Sequence, residues 1–367
     1  MAAKKRKLPE EAIPAPLDSK TLARKLRSRV ATGPAPDWLL EFSVHLAGNV
    51  RAEIAGGSET PLKIVARGAK LGEYAFPPSI PTRKYSDSRK LMKEVDYPEA
   101  LTGLLPDHLD LKLTPNAVPR SMRAPARIDS LVKLRRGMVH ATTVFRPDDR
   151  RVFQDTAFPW CTTGRVDSPN GTGSGVMIGP RHLLTVSHII QWNSDKTAGW
   201  VKFTPAYFDG SAPFGEAWAT LTYYEVKVSG PTLDGNEQKH DYVCIVLDRR
   251  IGDITGWMGS RAYSTSWDNG NYWRHIGYPG DLTGSSRPSY QRDISFTGTD
   301  GPSEHRRINH MGDVWPGQSG GPYFAWWDNE PWPRVVAVQS GQEPSTNTAS
   351  SGNHMVDLVI RARNEHP

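Results

Sequence analysis

Gly312-Asp313-Val314-Trp315-Pro316-Gly317-Gln318-Ser319-Gly320-Gly321-Pro322 is the stretch on which the reading of this chain turns. A serine sits between glycines, and an apolar run from Tyr323 to Trp327 follows. Glycine tolerates backbone angles closed to other residues, so the chain can fold sharply here and push the serine hydroxyl outward. Such a turn also leaves the Gly317 and Ser319 amides free to point at one spot. An exposed hydroxyl beside preformed donors is what an acyl-transfer nucleophile needs. A glycine-rich hairpin loop would look the same in isolation.

Two further frames give the serine context. Gly173-Ser174-Gly175-Val176-Met177-Ile178-Gly179-Pro180-Arg181-His182-Leu183-Leu184-Thr185-Val186-Ser187-His188 reads as two short strands around a Gly-Pro turn, ending in His188. His240-Asp241-Tyr242-Val243-Cys244-Ile245-Val246-Leu247-Asp248 is an acid heading an apolar strand, with Asp234 and Asp248 as alternative acids nearby. The order is His, Asp, Ser, with gaps of 53 and 78 residues. Serine hydroxyl is a poor nucleophile at neutral pH and needs a base. His188 supplies that base on this reading. Asp241 would fix its tautomer.

This order resembles that of the chymotrypsin-like (trypsin-like) serine peptidases. Ile276 to Asp281, the segment around Ser319, and Val335-Val336-Ala337-Val338-Gln339-Ser340-Gly341 are similar to segments of bacterial glutamyl endopeptidases and their fungal trypsin-like relatives. The resemblance runs from about Asp148 to Arg363. It implies an all-β fold of two six-stranded barrels with a C-terminal helix, and a serine endopeptidase acting on protein or peptide substrates. Gln318 stands where trypsins carry an aspartate that pairs with a new N-terminus, so that route to activation is not expected. Gln339 and Val314 replace the histidine and threonine of glutamyl endopeptidases, so a preference for acidic residues is not expected. Asp313, six residues before Ser319, resembles the base of a trypsin specificity pocket; Gly341, with Gly352 as a further candidate, resembles the small residues that leave it open, and Gln339 is a further substrate-binding candidate. That position implies a preference for Arg or Lys before the scissile bond.

Composition agrees with a loop-rich β protein. The chain has 367 residues, 33 glycines and 30 prolines, and 37% hydrophobic residues. Short apolar runs recur between turn residues from Thr163 to Val338. Residues 141–367 read as the peptidase domain, closed by a helix near Val356 to Arg363. Residues 1–36, with Lys4-Lys5-Arg6-Lys7 and scattered prolines, read as a disordered basic tail. Residues 37–140 read as an extension or propeptide, with strand-like patches at Trp38–Leu46 and Leu62–Ala66 and a helical candidate at Ser88–Val95. Arg135-Arg136 is a candidate self-processing site.

Charge divides the chain. Residues 1–140 hold 25 Lys/Arg against 15 Asp/Glu, a net of +10, whereas the remainder carries −4. A basic arm on a mildly acidic domain suits an intramolecular inhibitor. Nucleic-acid binding competes weakly, because the basic residues are spread out and no binding fold is recognisable. No secretory signal and no run of 18 apolar residues is readable, so a membrane partner is not expected and an intracellular address is slightly favoured. Two cysteines, Cys161 and Cys244, make no disulfide scaffold. No Cys/His set has zinc spacing, so neither a metal nor an organic cofactor is expected. A monomer is expected. The rival functions are a catalytically silent binding module on the same fold and a nuclear, nucleic-acid-associated protein.

Overall fold

A computed structural model describes residues 14–35, 62–63, 75–76, 79–85, 101–118, 144–145, 147–230, 232–343 and 345–367. The expected strand at Trp38–Leu46, the helix at Ser88–Val95, and the Lys4–Lys7 and Arg135-Arg136 motifs lie outside them.

Six strands form the first barrel: β1 (Thr163–Ser168), β2 (Gly171–Gly179), β3 (His182–Thr185), β4 (Lys202–Pro205), β5 (Ala217–Tyr224) and β6 (Val243–Leu247). All neighbours are antiparallel, in the closed order β1-β2-β3-β6-β5-β4 and back to β1. The second barrel comprises β7 (Asn271–Gly277), β8 (Ser289–Asp300), β9 (Arg306–His310), β10 (Pro322–Ala325), β11 (Arg334–Glu343) and β12 (Thr346–Ser351). It closes in the same order, β7-β8-β9-β12-β11-β10. Closure leaves no unpaired sheet edge within either barrel. This is the expected double six-stranded barrel.

The strands form because their residues fit a buried pleated surface. All five residues of β6, Val-Cys-Ile-Val-Leu, are buried. Each such aliphatic side chain contributes about 1.5–3 kcal/mol on leaving water. The second barrel has an aromatic core instead. Trp273 stacks on Phe296 with ring centres 4.8 Å apart, and Trp267, Trp327 and Tyr263 pack around them. Cys161 and Cys244 are both buried and unpaired, as small apolar groups. The C-terminal helix α2 (Asn353–Glu365) buries Met355, Leu358, Val359 and Ala362 in the first barrel's core cluster.

Two of the barrel strands were not expected. β12 reads Thr-Asn-Thr-Ala-Ser-Ser, with one apolar residue. It is nonetheless buried, because its side chains find partners: Asn347 Nδ2 donates to Gly312 O at 2.7 Å, and Ser351 Oγ to Val336 O at 2.5 Å. β9, Arg-Arg-Ile-Asn-His, is equally polar. Hydrogen bonding rather than hydrophobic pattern admits such strands to an interior.

The N-terminal reading needs correction where residues are described. Residues 14–35 carry a helix, α1 (Ser19–Lys25), capped by Asp18, whose carboxylate accepts from Thr21 N at 2.7 Å. Leu22 is 1% exposed. The chain before α1 is tied by Leu17 N to Trp326 O at 2.8 Å and by Trp327 Nε1 to Pro14 O at 2.9 Å. Local periodicity was too sparse to reveal α1, which is held by tertiary contacts. The extension is woven into the first barrel as well. Ser79–Lys84 pairs in parallel with β5 and antiparallel with Thr197–Gly199. Leu109 and Leu111 are buried in the core cluster.

Candidate active site

The Ser319 turn is anchored from both barrels. Ser174 of β2 donates its N–H to Ser319 O at 2.7 Å and its hydroxyl to Gly317 O at 2.8 Å. Thr185, at the end of β3, donates to Ser174 O at 2.7 Å. From the other side, Gly320 N donates to Gln339 O at 2.8 Å. Gly317 and Gly320 have φ of +99° and +83°, a left-handed region that side chains strain. A Cβ on Gly317 would also strike Tyr278 O, and one on Gly320 would strike Ser174 O. Among the described residues, the Gly317 and Ser319 amides donate to no protein acceptor.

His188 follows β3 and Asp241 precedes β6, neighbouring strands whose pairing brings the two ends together. His188 Nδ1 lies 2.7 Å from Asp241 Oδ2, and His188 N donates to Asp241 Oδ1 at 2.9 Å. Asp241 is fully buried. Ser340 Oγ donates to the same Oδ2 at 2.6 Å. An ionised Asp241 accepts the Nδ1 proton and so leaves Nε2 as the basic nitrogen. A Cβ placed on Gly173 would lie 3.0 Å from both Ser319 O and Ile189 Cδ1, so one glycine separates the serine turn from the neighbour of His188. The alternative acids are occupied elsewhere. Asp234 accepts from Asn236 N and Glu237 N at 2.8 Å, and Asp248 from Trp218 N at 2.9 Å.

Asp313 does not present an open carboxylate, contrary to expectation. Its Oδ1 accepts from Phe145 N at 2.7 Å, and its Oδ2 from Asp149 N at 2.9 Å and Gln291 Nε2 at 3.3 Å. Only 2% of the residue is exposed. Burial pushes its carboxyl up, against the pull of the Asp149 and Phe145 amides. The segment leading into the barrels has therefore taken the acceptor sites that a substrate cation would use. Gln339 is also engaged: its Oε1 accepts from Tyr323 Oη at 2.7 Å and faces His310 Nε2 at 3.1 Å, while its Nε2 donates to Gly341 O at 3.0 Å. Gly341 sits at a bulge of β11 against β12.

Two residues without an assigned role in the sequence prove central. Ser340 lies within a quoted motif, but its contact with Asp241 spans 99 residues. Arg150 lies in the charged run before the first barrel. It is 2% exposed and donates from Nη1 to Gln318 Oε1 and Asp281 Oδ1, both at 3.0 Å. It also forms ion pairs with Asp148 at 2.9 Å and Asp281 at 2.6 Å. Gln318 Oε1 in turn accepts from Trp315 N at 2.9 Å. A guanidinium thus braces the residue before Ser319.

No family model matches the chain. A glutamyl endopeptidase of Bacillus licheniformis is 26% identical over 288 residues, covering 78% of this chain and 80% of its own. A solved Glu endopeptidase, determined in complex with MPD, superposes with a TM-score of 0.50 at 19% identity, covering 60% of this chain and all of its own. The latter shares the fold. The chain thus has the double-barrel fold of the chymotrypsin-like serine peptidases and is similar to a glutamyl endopeptidase along most of its length.

Proposed function

We propose that this chain is a serine endopeptidase working through Ser319, His188 and Asp241. Ser319 Oγ attacks the scissile carbonyl while His188 Nε2 takes its proton. The proton passes to the leaving amine, and an acyl-enzyme remains on Ser319. Water then attacks the acyl group, with His188 again as base, and releases the acid. Asp241 stabilises the imidazolium. The Gly317 and Ser319 amides hold the oxyanion, a contribution of about 3 kcal/mol per donor. The observation carrying this reading is the His188–Asp241 pair, joined at both the ring and the backbone beside a glycine-shaped serine turn.

A fluorophosphonate probe tests the nucleophile. Labelling of the full chain, lost in Ser319→Ala and His188→Ala, supports the mechanism. Absence of labelling in folded wild type would favour the binding module.

For the residue before the scissile bond, an Arg or Lys preference would need a free Asp313 carboxylate, and its oxygens are already taken. The Bacillus licheniformis relative is a glutamyl endopeptidase, and on that similarity we carry its preference to this chain, although Gln339 and Val314 stand where such enzymes have histidine and threonine. A peptide library would show enriched cleavage after Glu. Enrichment after Arg or Lys would return Asp313 to the pocket base.

A further inference from the structure

A cluster of imidazoles lies at the junction of the barrels, apart from the catalytic groups. Glu225 follows β5, His305 precedes β9, and His354 opens α2. Their side chains offer three ligand atoms within 4.8 Å of one another. His354 Nδ1 lies 2.5 Å from Glu225 Oε1. His240 Nδ1 lies 3.0 Å from Glu225 Oε2, and Tyr242 Oη donates to the same oxygen. The His240 and His305 rings are 4.2 Å apart, and the His305 and His354 rings 6.0 Å. The independent observation is His305 Nδ1. It is buried and has no hydrogen-bond partner, on a ring that offers one of the cluster's three ligand atoms. An unpaired buried nitrogen is costly unless something fills its lone pair or takes its proton.

We propose that Glu225, His305 and His354 form a binding site for a divalent transition metal of the zinc class. Two imidazoles and a carboxylate are a borderline donor set, suited to zinc rather than to the all-oxygen preference of calcium or magnesium. Ligand bonds of about 2.0–2.1 Å need ligand atoms about 3.4 Å apart in a tetrahedron, which rotations within the cluster supply. The entering ion replaces the hydrogen bond between His354 and Glu225. His240 and Tyr242 then orient Glu225 from outside the coordination sphere. Sequence spacing gave no hint, because the ligands stand 80 and 49 residues apart in the chain. The ion would tie the end of the first barrel's β5 to the second barrel and α2, and His240, which orients Glu225, is the residue before Asp241. The site does not depend on the peptidase reading.

The test uses the full chain stripped with EDTA. Zinc binding is followed by calorimetry and cobalt binding by visible absorption. One equivalent of zinc should bind, and cobalt should give the intense bands of a tetrahedral ion. His240→Ala, which removes an orienting partner, should weaken binding about 10–100-fold. His305→Ala should weaken it further, and His354→Gln, which keeps a donor to Glu225, guards against misfolding. Thermal melts without metal verify that each variant folds. Absence of stoichiometric binding to the folded wild type would overturn the proposal. So would unchanged affinity in a folded His305→Ala or His354→Gln protein, or octahedral cobalt bands from a surface site.

Discussion

Arg150 Nη1 donates to Gln318 Oε1 at 3.0 Å, and this buried contact reaches the residue before Ser319 across 168 positions of sequence. In trypsins an acid at the Gln318 position pairs with a freed N-terminus. Here a side-chain cation within the chain braces the loop, balanced by Asp148 and Asp281 rather than by Gln318 itself.

Arg150→Ala should therefore destabilise the protein and slow acylation. Removing one partner of a buried charge network leaves the others uncompensated, at about 3–5 kcal/mol. Arg150→Lys should recover part of the stability, since an ammonium cannot reproduce the planar fork to two carboxylates. Urea melts and the labelling rate of Ser319 measure both effects. An Arg150→Ala protein as stable and reactive as wild type would remove Arg150 from this role.

Asp241→Asn should preserve the fold and lower kcat by about 10⁴-fold, because the amide favours the wrong His188 tautomer. Ser340→Ala removes one charge-assisted hydrogen bond to Asp241. A loss of about 1.5–3 kcal/mol follows, or about 10–200-fold in kcat. Steady-state kinetics on one peptide substrate should show KM little changed in both.

Leu22→Ala should lower stability by about 2–5 kcal/mol, the usual cost of truncating a buried leucine. The residue lies in α1, within the main core cluster. A protein starting near Ala141 would lose Leu22, Leu109, Leu111 and the strand at Ser79–Lys84 together, and should not fold stably. A cooperative melt of that shortened protein at the wild-type temperature would show the extension to be dispensable.

His182 and His310 should make the fold acid-sensitive. Burial lowers each imidazole from 6.5 to about 3, with the Arg363 charge adding to the effect at His182. A histidine whose folded value is depressed binds fewer protons folded than unfolded. Its neutral form is compatible with the fold at pH 7, and stability falls as pH drops from 6.5 toward 3. At pH 5 each costs about 2 kcal/mol. Urea melts at pH 7 and pH 5 should show the loss, and His182→Gln should reduce it. Equal stability at both pH values would contradict the buried neutral state.

The apolar strands and glycine turns were legible because their information is local. The β6 run heads directly out of Asp241, and Gly317 and Gly320 flank Ser319 for backbone reasons that adjacent residues reveal. β12 was illegible because its burial depends on distant acceptors such as Gln238 O, which Ser350 Oγ reaches across 112 positions. Asp313 shows the opposite failure. Its spacing from Ser319 matched a pocket base, yet Phe145 and Asp149 occupy its carboxylate.

By itself the sequence determined the order of His188, Asp241 and Ser319, the turn that carries the serine, and the all-β class, all written in neighbouring residues. Tertiary structure alone decided which acid meets His188, that Ser340 steadies that acid, that Arg150 braces Gln318, and that Glu225, His305 and His354 converge. Those relations depend on barrel closure. It sets side chains distant in the chain beside one another, and no local pattern encodes that.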